Sequence, residues 1–285
     1  MSENSERAAV GPLVSVGWLA EHLDDPQVRI IDVHLDPVPY EEGHIRGAVA
    51  WPAIGSLIDA DYRHDFDAEH VTELLERTGI DRDTIVVATS DHLALAPWAY
   101  WYLKSVGYDR VVVLDGGPSK WLAEGHPLTA VVPEVAPTTY QAPAFDSTRQ
   151  ARLADVRAAV DDEAAVLLDV RTPEEWDGEI FMQTPAVADE RAGHIPGAVH
   201  LFYGQAHQPD GTFCPTAELA ALYADHGVRP DQAVITYCAV GMRSAHTWFV
   251  LSEMLRYPDV RSYDRSWNEW GRLPDTPIET SESAS

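Results

Sequence analysis

The chain has 285 residues, of which 46 are acidic and 20 basic, giving a formal net charge of −26. Such a balance excludes a nucleic-acid backbone or an anionic membrane surface as the principal partner. The length and a hydrophobic content of 45% provide for two globular domains, each with its own core.

Along the chain, short β-prone runs alternate with amphipathic stretches, and the order of motifs occurs twice. In the first copy Ser15 caps a helix over 16–23, Ile30-Ile-Asp32-Val-His34 reads as a strand, and Gly43-His44-Ile-Arg-Gly47 follows. A strand over 84–89, a helix over 96–106, a strand over 110–114 and Gly116-Gly-Pro-Ser-Lys-Trp121 complete it. Pro133, Pro137 and Pro143 then mark an extended connection laid over the surface. The second copy opens on Leu167-Leu-Asp169-Val-Arg171, with Thr172-Pro173 as a helix start, and continues through Gly193-His194-Ile-Pro-Gly197. Thr216 is expected to cap a helix over 217–225, and Ala233–Tyr237 is a strand running into Cys238. A helix over 243–255, a strand over 260–263 and Arg265-Ser-Trp-Asn-Glu-Trp270 close the repeat, and the polar tail 279–285 is expected to be disordered. This rhythm implies βα units and a mainly parallel sheet flanked by helices in each copy. Aligning the helices sets Thr89 opposite Cys238, so the first copy lacks a thiol there.

Cys238-Ala-Val-Gly-Met-Arg243-Ser lies between a strand and a helix. Unpaired amides and the dipole at a helix start favour an anion, hence thiolate over thiol. Gly241 relieves the steric limits on the turn, and Arg243, a cation placed against the helix dipole, points to anion binding. Since the whole molecule repels anions, local positive potential has to come from Arg243 and the helix start. Cys214, before Pro215 and without basic neighbours, reads as structural. The two cysteines make neither a disulfide framework nor a zinc-like spacing, and nothing calls for a metal or cofactor. The repetition of His44 as His194 in a copy without the cysteine favours a structural role for both.

These residues carry a resemblance. Both Gly-His-Ile-x-Gly-Ala segments, Asp169-Val-Arg171, the cysteine loop ending in Arg243-Ser244, and Ser266-Trp-Asn-Glu-Trp-Gly271 are similar to the tandem-domain rhodanese family of sulfurtransferases, in particular its bacterial, actinobacterial thiosulfate members. The resemblance implies an α/β protein of two rhodanese-like domains, over 10–130 and 148–278 with a linker 131–147, the second one catalytic. It implies sulfur transfer from thiosulfate through a persulfide on Cys238, held by amides of Ala239, Val240, Gly241, Met242, Arg243 and Ser244, with a 3-mercaptopyruvate sulfurtransferase or a persulfide carrier for a biosynthetic partner as the alternative. Its partners would be a small anionic sulfur donor and a thiol or protein acceptor, in the cytoplasm. Asp169, Arg171 and Arg265 form a second tier of site residues. Two departures bear on the donor: Ala239 stands where thiosulfate users often carry a basic residue, and Glu175 where some members carry a substrate-binding arginine. Cysteine phosphatases of related fold space cysteine and arginine by five residues, whereas four separate Cys238 from Arg243.

Overall fold

The computed structural model describes residues 11–162 and 165–280. The chain divides into two compact units, one reaching Asp146 and including His207–Phe213, the other comprising Ser147–Ala206 and the residues from Cys214 onward.

The first unit runs β1 (Leu13–Val14), α1 (Val16–His22), β2 (Val28–His34), α2 (Val38–Glu42), β3 (His44–Ile45), β4 (Val49–Pro52), the kinked turn α3 (Ala53–Ser56), α4 (Ala68–Arg77), β5 (Ile85–Thr89), α5 (Leu95–Ser105), β6 (Val111–Leu114), α6 (Gly117–Ala123) and β7 (Leu128–Thr129). Its main sheet is parallel throughout, in the order β1-β6-β5-β2-β4. β5 shows why: Ile-Val-Val-Ala-Thr is buried at every position, as expected of a central strand with helices on both faces. On α4, Val71, Leu74 and Leu75 turn one stripe inward, and Asp67 caps the helix through the amides of Glu69 and His70. Leu19, Ile45, Val87 and Trp121 belong to the resulting core.

The second unit repeats the plan with fewer strands: α7 (Leu153–Asp162), β8 (Val166–Asp169), α8 (Pro173–Asp177), β9 (Val199–His200), α9 (Thr216–Asp225), β10 (Val234–Tyr237), α10 (Met242–Trp248), β11 (Val260–Tyr263) and α11 (Ser266–Trp270). Its sheet, β11-β10-β8-β9, is also parallel. Leu167, Ile235, Tyr237, Trp267 and Trp270 lie in its core. Among the described residues no helix is long and apolar enough to cross a membrane.

Several local expectations are corrected. The helix expected over 243–255 starts at Met242, and its second half, Phe249–Met254, winds as a π-helix. Thr216 is the first helical residue of α9; Pro215 occupies the cap position, and no side chain closes that end. Glu279 is not part of a loose tail, because its backbone pairs in both directions with His194; residues 281–285 lie outside the described residues. In the pairing of the copies, Asp32 is registered with Thr89 and Asp169 with Tyr237. Thr89 therefore matches Tyr237, and Ser90 is the counterpart of Cys238.

The segment after β7 has no regular structure but is fastened to the first unit. The Thr138 amide donates to Glu76 O, the Tyr140 amide to Glu76 Oε1 and the Ala142 amide to Thr72 Oγ1. Gly107 has a φ of +77°, and a β-carbon there would run into the ring of Pro143. Gly107→Ala combines a left-handed alanine with this clash and is expected to destabilise the first unit by about 2 kcal/mol or more. Urea unfolding followed by tryptophan fluorescence reads the shift, and an unmoved transition would show that the segment does not pack as described.

Candidate active site

Cys238 follows directly on β10, whose four residues are all buried between β8 and β11. The loop then turns through Gly241, whose φ of +97° puts it in the left-handed region at the start of α10. Two hydrogen bonds hold the cysteine backbone against α11. Its amide donates to Ser266 Oγ at 3.0 Å, and its carbonyl accepts from the Trp267 amide at 3.0 Å. The Ala239 carbonyl accepts from the Asn268 amide at 2.9 Å. With its carbonyls drawn toward α11, the loop turns back so that the Gly241 amide donates to Cys238 Sγ at 3.2 Å. The amides of Ala239 and Val240 have no hydrogen-bond partner among the described residues. The sulfur is fully buried, and Met242, Arg243 and Tyr203 are partly exposed nearby in the sequence and fold.

Ser266 is held at a φ of +51°, unusual for a residue other than glycine. Its hydroxyl donates to Tyr263 O at 2.7 Å while accepting from the Cys238 amide, and it lies 3.8 Å from Sγ. It is a positioning group for the cysteine. Ser244 is wholly buried, but its hydroxyl is spent on Gly241 O at 2.8 Å and meets Ser262 Oγ at 2.9 Å.

Arg243 does not stand free. Its Nη1 donates to Glu175 Oε2 at 2.6 Å and its Nη2 to Glu175 Oε1 at 2.8 Å, a two-pronged pair. Glu175 is 1% exposed and also closes the capping box of α8, where its Oε2 accepts from the Thr172 amide at 3.0 Å. Burial disfavours the charged guanidinium of Arg243, but the hydrogen bonds and charge of Glu175, together with the charge of Cys238, raise its pKa above the ordinary arginine value. Burial also raises the pKa of the Tyr203 phenol; Arg243 opposes the rise and the charge of Cys238 adds to it. The ring of Tyr203 meets His246 edge-on at 5.2 Å.

Asp169 and Arg171 are both fully buried, and Arg171 Nη2 donates to Asp169 Oδ2 at 2.6 Å and to Gly193 O at 2.7 Å. The guanidinium lies 4.4 Å from the Trp267 ring centre. The pair thus ties β8 to the Gly-His-Ile segment and to α11, and makes no hydrogen bond with the cysteine. Arg265 is partly exposed and sits 3.6 Å from Glu269. His44 and His194 each spend Nδ1 on a backbone carbonyl, of Tyr40 and Trp176, and stack on those same rings. Cys214 Sγ lies 3.9 Å from Gln205 O, and burial raises its thiol pKa, with the charge of Glu218 adding to the rise.

The structure brings Cys238 and Gly241 together, holds the Asp169–Arg171 pair at the end of β8, and sets Arg265 beside Glu269 at the start of α11. Among the described residues the Gly241 amide is the loop amide within hydrogen-bond distance of Cys238 Sγ. Sequence reasoning missed Ser266 as the anchor of Cys238, although Ser266-Trp267 was visible as a motif. It also missed Glu175 as the partner of Arg243, for which the capping box was the available signal.

The fold and this loop define a class. The Rhodanese-like domain model matches residues 15–124 and again 152–273, and the chain belongs to the rhodanese family, as two such domains in tandem. It is 40% identical over 272 residues to "Sulfur carrier protein TtuD" of Thermus thermophilus, covering 93% of this chain and 95% of that protein. It is 39% identical over 270 residues to a "Putative thiosulfate sulfurtransferase" of Mycobacterium tuberculosis, covering 94% and 97%. A solved 3-mercaptopyruvate sulfotransferase from Escherichia coli superposes with a TM-score of 0.78 at 27% identity, covering 90% of this chain and 99% of that one. The chain is thus a rhodanese-family sulfurtransferase.

Two outcomes follow from this geometry. Ser266→Ala strands the buried Cys238 amide, which is expected to cost about 1–3 kcal/mol, readable by urea unfolding. Arg243→Ala leaves the Glu175 carboxylate buried without its cation. It is expected to cost about 3–5 kcal/mol of stability, so a variant as stable as the parent would show that the pair is not as drawn.

Proposed function

We propose that the protein moves a sulfane sulfur from thiosulfate to a thiophilic acceptor through a persulfide on Cys238. The observation that carries this reading is the buried sulfur at a strand end, contacted by the Gly241 amide and followed in the chain by the amides of Ala239 and Val240, which have no hydrogen-bond partner among the described residues. The Cys238 thiolate attacks the outer sulfur of thiosulfate. The S–S bond of the donor breaks, and sulfite leaves with the electron pair. The persulfide anion then has the amides of Ala239 and Val240, and those that open α10 over Met242–Ser244, to receive its outer sulfur. A thiolate, cyanide or a protein thiol attacks that sulfur and restores the Cys238 thiolate. No cofactor is needed for either half. The second rhodanese-like domain, expected over 148–278, is the catalytic one, and the first, expected over 10–130, is supporting, with Ser90 in place of the thiol. The partners are a small anionic donor and a thiol or protein acceptor, in the cytoplasm.

The pairing of Arg243 with Glu175 favours a second reading, in which the loaded sulfur passes chiefly to a protein partner. Like charges about 4 Å apart repel by roughly 4 kcal/mol at an effective dielectric near 20. A helix start offers about 0.3–1 kcal/mol in return. The charge available from Arg243 is therefore the larger quantity, and most of it is engaged by Glu175. The name of the Thermus thermophilus relative is in keeping with this reading.

Cys238→Ser is expected to abolish both sulfur loading and thiocyanate formation while the protein remains folded. Activity near that of the parent with any donor would end the proposal. Slow turnover with cyanide but rapid transfer to one protein thiol would select the second reading over the first.

A further inference from the structure

We infer that Glu175 is a specificity-determining residue that narrows the advantage of thiosulfate, a dianion, over donors bearing one negative charge or none, such as alkyl hydropersulfides, including a cysteine persulfide on a protein, which the same site then also accepts. The inference rests on the persulfide reading above and names what governs its donor.

Arg243 is the only basic side chain in the loop Cys238–Ser244. It presents both terminal nitrogens to the two oxygens of Glu175, at 2.6 and 2.8 Å, so its charge faces a carboxylate in contact. Glu175 cannot swing away to release it. The carboxylate is buried, and the Thr172 amide fixes its Oε2 at 3.0 Å. The other buried guanidinium of this unit's sheet end, Arg171, is likewise matched by Asp169. The residue after the cysteine is Ala239, which brings no charge. Arg265, farther along, has Glu269 beside it. A dianion approaching the thiolate thus meets compensated cations, within a molecule whose net charge is −26. A hydropersulfide avoids this repulsion. The thiolate attacks its terminal sulfur, a Cys238–sulfur bond forms as the R–S–S–H disulfur bond breaks, the proton stays on the transferred sulfur, and R–S⁻ leaves with the electron pair.

Glu175→Gln is the informative variant. Glutamine serves equally at the third position of a capping box and can still accept one hydrogen bond from Arg243, so the charge and one of the two Arg243 hydrogen bonds are removed while the cap is kept. The readout is the ratio of kcat/KM for thiosulfate to that for 2-hydroxyethyl hydropersulfide, with cyanide as acceptor. The ratio is expected to rise about tenfold or more in Glu175→Gln, and to stay nearer the parent value in Glu175→Asp, which keeps the charge. A purely structural role would slow both donors together and leave the ratio unmoved, which would overturn the inference, as would an Asp variant that behaves like the Gln variant. The parent protein gives a test that does not depend on any variant folding. With compensated cations at the site, added salt screens the acidic molecule and raises the thiosulfate rate; a rate that falls with salt shows a net cationic site and rejects the inference. If neither donor adds the mass of one sulfur to Cys238, the persulfide reading itself fails. If sulfur is added but the ratio does not move, only the role of Glu175 fails.

Discussion

The site depends on how the backbone of Cys238 is held. A cysteine at the end of a buried parallel strand would ordinarily be an inert core thiol. Here its amide is taken by Ser266 Oγ and its carbonyl by the Trp267 amide, both from the start of α11. Those two bonds fix the direction of the chain as it leaves β10. The left-handed turn at Gly241 can then bring an amide back onto the sulfur. Ser266 holds a strained backbone conformation to do this, and strain of this kind persists only where the surroundings fix it. Those surroundings are Trp267 and Trp270, both fully buried, whose indole N–H groups donate to Arg191 O and Pro277 O. The packing of α11 therefore fixes the path of the chain as it leaves β10.

Charge is arranged in the same region with little left over. The guanidinium groups of Arg171 and Arg243 are each matched by a carboxylate that is itself buried. Pairs of this sort add little net stability compared with apolar residues of similar size, yet removing one partner is costly. They fix geometry. The Asp169–Arg171 pair joins β8 to Gly193, and the Glu175–Arg243 pair joins the start of α8 to the cysteine loop. One consequence is a loop whose position is secure while its positive potential is modest.

Much of the fold was legible because parallel sheets write themselves plainly. Runs such as Ile85–Thr89 and Val234–Tyr237 are buried at every position, so they appear as unbroken β-prone segments between helices. The repeat of Asp-Val and Gly-His-Ile then gave the two-unit plan. At the site, Cys238 and Gly241 were readable from local chain geometry. Pairings across the fold were not. Glu175 and Arg243 are 68 residues apart in the chain, and nothing in the local pattern of either names the other. The Thr89 alignment slipped by one because helix positions are a loose ruler, whereas strand register is a strict one. Thr216 failed as a cap because Pro215 already supplies the turn at that place.

Strand register also shows what distinguishes the unit that carries the thiol. Matching Ala88–Val113 to Thr236–Ser262 sets Ser90 against Cys238, Gly117 against Ser266 and Pro118 against Trp267. Proline has no amide hydrogen, so the bond that holds the carbonyl of Cys238 has no equivalent at Pro118. Glycine has no hydroxyl, so the bond to the amide of Cys238 is lost as well. At Gly117 the chain keeps the left-handed conformation of Ser266, with a φ of +60°, and the Ser90 carbonyl closes over the space a β-carbon would need. The Ser119 amide donates to the Asp91 side chain at 2.9 Å, whereas its counterpart, the Asn268 amide, donates to the Ala239 carbonyl. The first unit thus differs in the apparatus that holds the residue as well as in the residue itself. Replacing Ser90 with cysteine would restore a thiol without the two bonds that aim it.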